Sequence, residues 1–115
     1  MKFLPKILFT LILFLVVSCV TERAELIIVN KSNEMISVLQ IELYKSKETI
    51  KDFNVGEVMR FTFDSFTDAH YKVVGKYSSG KSIDIEFGYV TGGINVTDTL
   101  IIYDDSKFYH ASDFK

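Results

Sequence analysis

The residues able to do chemistry are few. The chain has two histidines, His70 and His110, and one cysteine, Cys19. A Ser-His-Asp relay needs a histidine as base beside an activated serine. No serine here stands in a Gly-x-Ser-x-Gly nucleophile elbow. His70 begins an alternating stretch on its polar phase, where a solvated imidazole is expected. Oxygen pairs that could meet a cation are Asp104-Asp105 and Asp84 with Glu86. Calcium takes six to eight oxygens from a dedicated loop, and no Asp-x-Asp-x-Asp-Gly pattern is present. Gly92-Gly93 is not followed by the helix and glycine pattern of a phosphate-binding loop. The expectation is therefore a non-enzymatic chain with no metal and no cofactor. Cys19 is the exception, because its surroundings give it a specific use.

Lys2 and Lys6 precede an almost wholly apolar run, Ile7 to Val17, broken only by Thr10. A charged leader followed by a short apolar segment is the pattern of a secretory signal. A membrane-spanning helix needs ~20 apolar residues, and this run ends at Ser18-Cys19, before Thr21-Glu22-Arg23. Val16, Val17, Ser18 and Cys19 resemble the lipobox of bacterial lipoproteins: aliphatic, small or aliphatic, small, cysteine. The resemblance covers about the first twenty residues. It implies cleavage between Ser18 and Cys19, a diacylglycerol on the Cys19 sulfur and acylation of the new amino group. A lone cysteine cannot form an internal disulfide, so nothing else in the chain competes for this thiol. The alternative is a soluble secreted protein that loses Cys19 with its signal. Val20 after the cysteine, in place of Asp, resembles the sorting pattern of lipoproteins sent to the outer membrane, on its periplasmic or surface face.

Cleavage there removes Lys2 and Lys6 from 13 basic side chains, leaving 11 against 15 acidic ones and a net charge of about −4. No Lys/Arg cluster remains to offer a nucleic-acid footprint. The expected division is a signal over 1–18, a lipidated Cys19 with a short tether over 19–24, one folded domain over 25–103, and a polar, aromatic tail over 104–115. Five residues from Cys19 to Arg23 reach only ~17 Å when extended, which would keep the domain close to a membrane.

The elements that would position any site read as strands, with a period of two. Glu25–Asn30 is an apolar run ended by a turn cluster and is expected to be buried on both faces. Met35–Tyr44 changes phase between Val38 and Leu39, which predicts a bulge, since a one-residue slip exchanges faces. Thr49–Asn54 is a weak edge strand, and Val58–Asp64 puts Met59, Phe61 and Phe63 inward. His70–Tyr77 and Lys81–Val90 form a hairpin through Ser78-Ser79-Gly80, with Tyr71 opposite Phe87, Lys72 opposite Glu86 and Val73 opposite Ile85. Tyr89 shares the inward phase of Ile83, Ile85 and Phe87. A second hairpin through Gly92-Gly93 would pair that strand with Ile94–Tyr103, leaving one misfit, Phe87 opposite Asp98.

About seven short strands and no amphipathic helix predict an antiparallel β-sandwich, with a small barrel as the alternative. The architecture resembles immunoglobulin-like sandwiches, although the Cys…Trp…Cys hallmark is absent. The expected function is a lipid-anchored binding or structural module of the bacterial envelope. It would be held to the membrane through acyl chains on Cys19 and offer a face or edge, Thr49–Asn54 for example, to a protein, peptide or glycan. The alternative is a small envelope enzyme, or a hydrolase inhibitor using the Gly92-Gly93 tip.

Overall fold

In the computed structural model the described residues are 23–64 and 68–114. The expected signal over 1–18, its Ser18–Cys19 junction and the acyl-bearing Cys19 lie outside them. The described residues form a β-sandwich of eight strands in two four-stranded sheets. The strands are β1 (Ala24–Asn30), β2 (Ile36–Leu43), β3 (Ser46–Phe53), β4 (Val58–Phe63), β5 (Ala69–Tyr77), β6 (Ser82–Val90), β7 (Val96–Ile102) and β8 (Phe108–Phe114). One sheet runs β4-β1-β7-β8 and the other β3-β2-β5-β6. No helix among the described residues is long and apolar enough to cross a membrane.

Alternation builds the core. Ala24, Leu26 and Ile28 from β1 and Val96, Leu100 and Ile102 from β7 face Ile36, Leu39, Ile41, Tyr71, Val73, Ile83 and Ile85 of the other sheet, all of them buried. A fully buried aliphatic side chain contributes roughly 1.5–3 kcal/mol, so the interface between the sheets carries the fold. β1 is buried on this face only; Ile27 and Val29 on the other side are half-exposed.

The β5–β6 hairpin has the expected register, Tyr71↔Phe87, Lys72↔Glu86 and Val73↔Ile85. Its loop closes with Gly80 in the left-handed region (φ 93°). The phase change in β2 is a break in the β2–β5 ladder between Ile36 and Val38, and it allows both Ile36 and Leu39 to point inward. Strand β3 is an edge, as expected.

Several further expectations fail. Gly92-Gly93 does not make a hairpin: β6 and β7 belong to different sheets, and the loop carries the chain from one to the other. Asp98 therefore lies beside Leu26 and Ser112 rather than Phe87. Tyr89 points out while Val90 is buried, because Gly88 (φ 69°) sits where the β5–β6 register shifts and the phase reverses. The pairing is not wholly antiparallel, since β1 inserts between β4 and β7 and runs parallel to β7. Finally, the expected tail over 104–115 is ordered structure across its described residues, 104–114. Asp104–Ser106 forms a 3-10 turn and Phe108–Phe114 adds an eighth strand alongside β7. At the other boundary Ala24, placed in the tether, is already a buried strand residue.

The β2 bulge depends on Gly75. A Cβ there would lie 2.1 Å from the Val38 carbonyl oxygen and 3.1 Å from Leu39 Cα, both backbone atoms. Gly75→Ala is expected to destabilise the domain by roughly 1–3 kcal/mol, the range of an overpacked core. A shift of the urea midpoint to lower concentration measures it.

Candidate functional site

Two groups of polar side chains stand out. The first lies between the sheets. Asp98 shares the inward phase of Val96, Leu100 and Ile102 and is 1% exposed. Ser112, its register partner on β8, donates from Oγ to Asp98 Oδ1 at 2.5 Å. His110, on the same side of β8, places Nε2 2.6 Å from that oxygen. Above them the rings of Tyr71 and Phe87 stack at 5.0 Å, and Phe87 is 5.0 Å from the imidazole.

This brings a serine, a histidine and an aspartate together, but not as a relay. A relay uses both imidazole nitrogens, one toward the carboxylate and the other toward the nucleophile. Here Ser112 Oγ is 3.1 Å from the same Nε2 that meets Asp98. A proton on Nε2 donated to the carboxylate leaves that nitrogen without a lone pair for the hydroxyl. Ser112 moreover spends its own proton on Asp98. The arrangement is a carboxylate clamped by two donors from β8, which ties the edge strand to β7.

Asp98 Oδ2 and the Tyr71 hydroxyl have no hydrogen-bond partner among the described residues. Burial, and then the charge of Asp98, push the Tyr71 hydroxyl above the usual tyrosine range. The sequence held a signal for this cluster in Asp98, the charged residue on an otherwise apolar phase. Ser112 and Tyr71 gave none.

The second group lies at the pole where β1 ends and β8 begins. A cavity of about 160 Å3 is lined by Asn33, Glu34, Tyr77, Lys81, Asp104 and Asp105. Asp104 accepts the Asn33 N–H at 2.8 Å, and Asp105 pairs with Lys81 at 2.9 Å. Lys81 holds the Asp105 carboxyl below its ordinary range, and Asp105 in turn raises the Lys81 ammonium. Glu34 accepts from the Ser79 N–H at 2.7 Å and from the Ser78 hydroxyl at 3.1 Å, and the Ser79 bond is the main cause of its lowered pKa. The Tyr77 hydroxyl donates to the Tyr103 carbonyl and accepts from the Ser106 N–H, fixing the turn in which Asp105 and Ser106 have φ of 55° and 59°.

The remaining candidates are dispersed. The expected oxygen pair Asp104-Asp105 is engaged as just described. Asp84 and Glu86 lie exposed on β6, with Glu86 opposite Lys72. No group of three or more potential metal ligands occurs among the described residues. His70 is exposed, its Nδ1 2.6 Å from the Gly88 carbonyl and its ring against Tyr89. Both histidines approach Gly88, His70 through its carbonyl and His110 on the side a Cβ would occupy, and no hydrogen bond among the described residues joins them.

No family model matches the chain, and no curated protein matches it. A solved structure shares its fold. The NMR structure of a protein from Eubacterium rectale superposes with a TM-score of 0.57 at 11% identity, covering 79% of this chain and 88% of that one. A structure described as "Trapped Toxin" covers 81% of this chain and 23% of that one, at 10% identity and a TM-score of 0.40. At these identities the first likeness shows the fold alone, and the second carries no argument.

The buried tyrosine gives a pH dependence. In the unfolded chain Tyr71 ionises near ~10, whereas in the folded protein it stays protonated well above that. Above pH ~10 the unfolded state therefore binds fewer protons, and stability falls as pH rises, by up to ~1.4 kcal/mol per pH unit. Below that range the group contributes no slope. Tyr71→Phe is expected to flatten this alkaline limb. It should also raise stability at neutral pH by about 1 kcal/mol, because a buried hydroxyl without a partner is removed. Urea titrations at a series of pH values check both.

Proposed function

We propose that the protein is a lipid-anchored lipoprotein of the bacterial envelope, acting as a non-catalytic binding or structural module with Cys19 as its acylated residue. The relation between the two poles of the sandwich supports this reading. Strand β1 starts at Ala24, five residues after Cys19, and at that pole Ala24, Val96 and Phe114 lie side by side. The polar cavity lined by Glu34, Lys81, Asp104 and Asp105 is at the other pole, ~20 Å away along the strands. A lead of at most ~17 Å from an acylated cysteine would hold the first pole at the lipid surface and turn the cavity away from it. The outer membrane is the destination that Val20 favours.

The geometry of Asp98, His110 and Ser112 favours a non-catalytic role over the enzyme reading. The inhibitor reading relied on the Gly92-Gly93 tip. That loop lies next to Arg23, whose N–H donates to Asn95 Oδ1 at 2.9 Å. On an anchored protein it would face the lipid rather than a hydrolase.

The test is direct. Mass spectrometry of the mature protein is expected to find an N-terminal Cys19 carrying acyl chains. Cys19→Ser is expected to move the protein from the membrane to the soluble or unprocessed fraction with its folded far-UV spectrum intact, since one buried chain already binds at ~0.8 kcal/mol per methylene and several make attachment lasting. An unmodified N-terminus elsewhere in the sequence would refute the reading.

A further inference from the structure

The two sheets expose four edges, β3, β4, β6 and β8. Charged side chains and bulges on an edge hinder the addition of another strand. All four edges carry some charge, most on β3 and β6 and least on β4 and β8. Strand β3 carries Lys47, Lys51 and a left-handed Asp52 (φ 53°), β4 carries Arg60, and β6 carries Asp84, Glu86 and the break at Gly88. Strand β8 reads Phe-Tyr-His-Ala-Ser-Asp-Phe, with Asp113 as its one carboxylate and no lysine, arginine or proline. Its ladder with β7 is unbroken from Ile102↔Phe108 to Val96↔Phe114. The edge expected from the sequence, Thr49–Asn54, is thus the guarded one.

The phase of the backbone on β8 follows from the hydrogen bonds of β7. The Tyr103 N–H donates to the Lys107 carbonyl at 2.7 Å, so odd-numbered positions bond between β7 and β8. The Lys31 N–H donates to the Ile102 carbonyl, and the Val96 N–H to the Arg23 carbonyl, so even positions of β7 turn toward β1. Antiparallel pairs alternate. The N–H and C=O groups of Phe108, His110, Ser112 and Phe114 therefore point out of the free edge.

We propose that two copies of the protein pair through β8, antiparallel, about a two-fold axis at Ala111. The strand is self-complementary in this register. Phe108 meets Phe114 of the partner subunit, His110 meets Ser112 of the partner subunit, and Tyr109 meets Asp113 of the partner subunit. All four edge-facing residues then exchange hydrogen bonds. Only an axis at Ala111 pairs all seven strand residues with one another. An axis at His110 would set Phe114 against Ser106 of the partner subunit, which lies in the left-handed turn (φ 59°).

The side chains agree with the backbone. Phe108 and Phe114 stand opposite the buried Ile102 and Val96, on the inner side of the sheet, yet they remain 43% and 64% exposed. Pairing about Ala111 brings each onto the other from the second copy, so the rings left over by one sandwich are covered by two.

Ala111 would meet its symmetry mate in a non-hydrogen-bonded pair, with Cα atoms ~4.5 Å apart and within disulfide range. The full chain carrying Cys19→Ser and Ala111→Cys, purified in mild detergent, is expected to form a covalent dimer under mild oxidation about tenfold faster than the same chain with Thr49→Cys on β3. Tyr109→Cys and Asp113→Cys chains are expected to cross-link when mixed and not when oxidised separately. Both sites are exposed, so circular dichroism should show an unchanged fold. Equal rates at positions 111 and 49 would overturn the proposal. So would separate self-linking at 109 as fast as the mixture, or a chain without these substitutions that light scattering finds monomeric up to its solubility limit.

Discussion

The structure depends on apolar burial between two sheets that no disulfide cross-links. One cysteine cannot make a disulfide, and the only proline is Pro5, well ahead of the first strand. Without a disulfide, alternation has to do the whole task. Each of β1, β2, β5, β6 and β7 presents an apolar face to the opposite sheet, and polar ties hold the ends. The most connected is Asn30, fully buried at the end of β1. Its side-chain amide donates to the carbonyls of Phe53, in the other sheet, and Glu34, while its Oδ1 accepts from the Ser32 N–H and hydroxyl. One carboxamide thereby fixes a turn and joins the sheets at a place where water would otherwise compete.

Much of this was legible in the residues because a half-buried strand writes its orientation into every second position. The all-β class, the β5–β6 register and the β2 bulge all follow from where the phase holds or slips. The failures arise where a turn can be satisfied in more than one way. Gly92-Gly93 specifies a chain reversal, and that reversal fits a hairpin or a passage between sheets equally well. Asp98, the misfit of the hairpin pairing, was the mark of the second arrangement. Strand β8 was harder to see. As an edge strand, most of its side chains are exposed, so Phe-Tyr-His-Ala-Ser-Asp-Phe lacks the apolar alternation that reveals an inner strand.

The buried polar cluster was legible only in part for the same reason. An aspartate on an apolar phase signals a buried carboxylate, but its donors come from a strand with no pattern of its own. Ser112 and His110 are close to Asp98 because β8 pairs with β7 in a single register. The Tyr71 hydroxyl comes close from the opposite sheet, which local sequence does not encode. Fold and cluster are therefore one problem: placing β8 places the donors.

The insertion of β1 between β4 and β7 has a mechanical consequence. A pull on the residues ahead of Ala24, against resistance at the far pole, acts along the strand axis. The hydrogen bonds to β4 and β7 run across that axis, so they share the load in shear instead of opening one after another from the end. Ladders on both flanks of the first strand give the chain two sets of bonds at the point where a force applied through its N-terminal segment enters. The strand placed to bear tension is the first of the described strands.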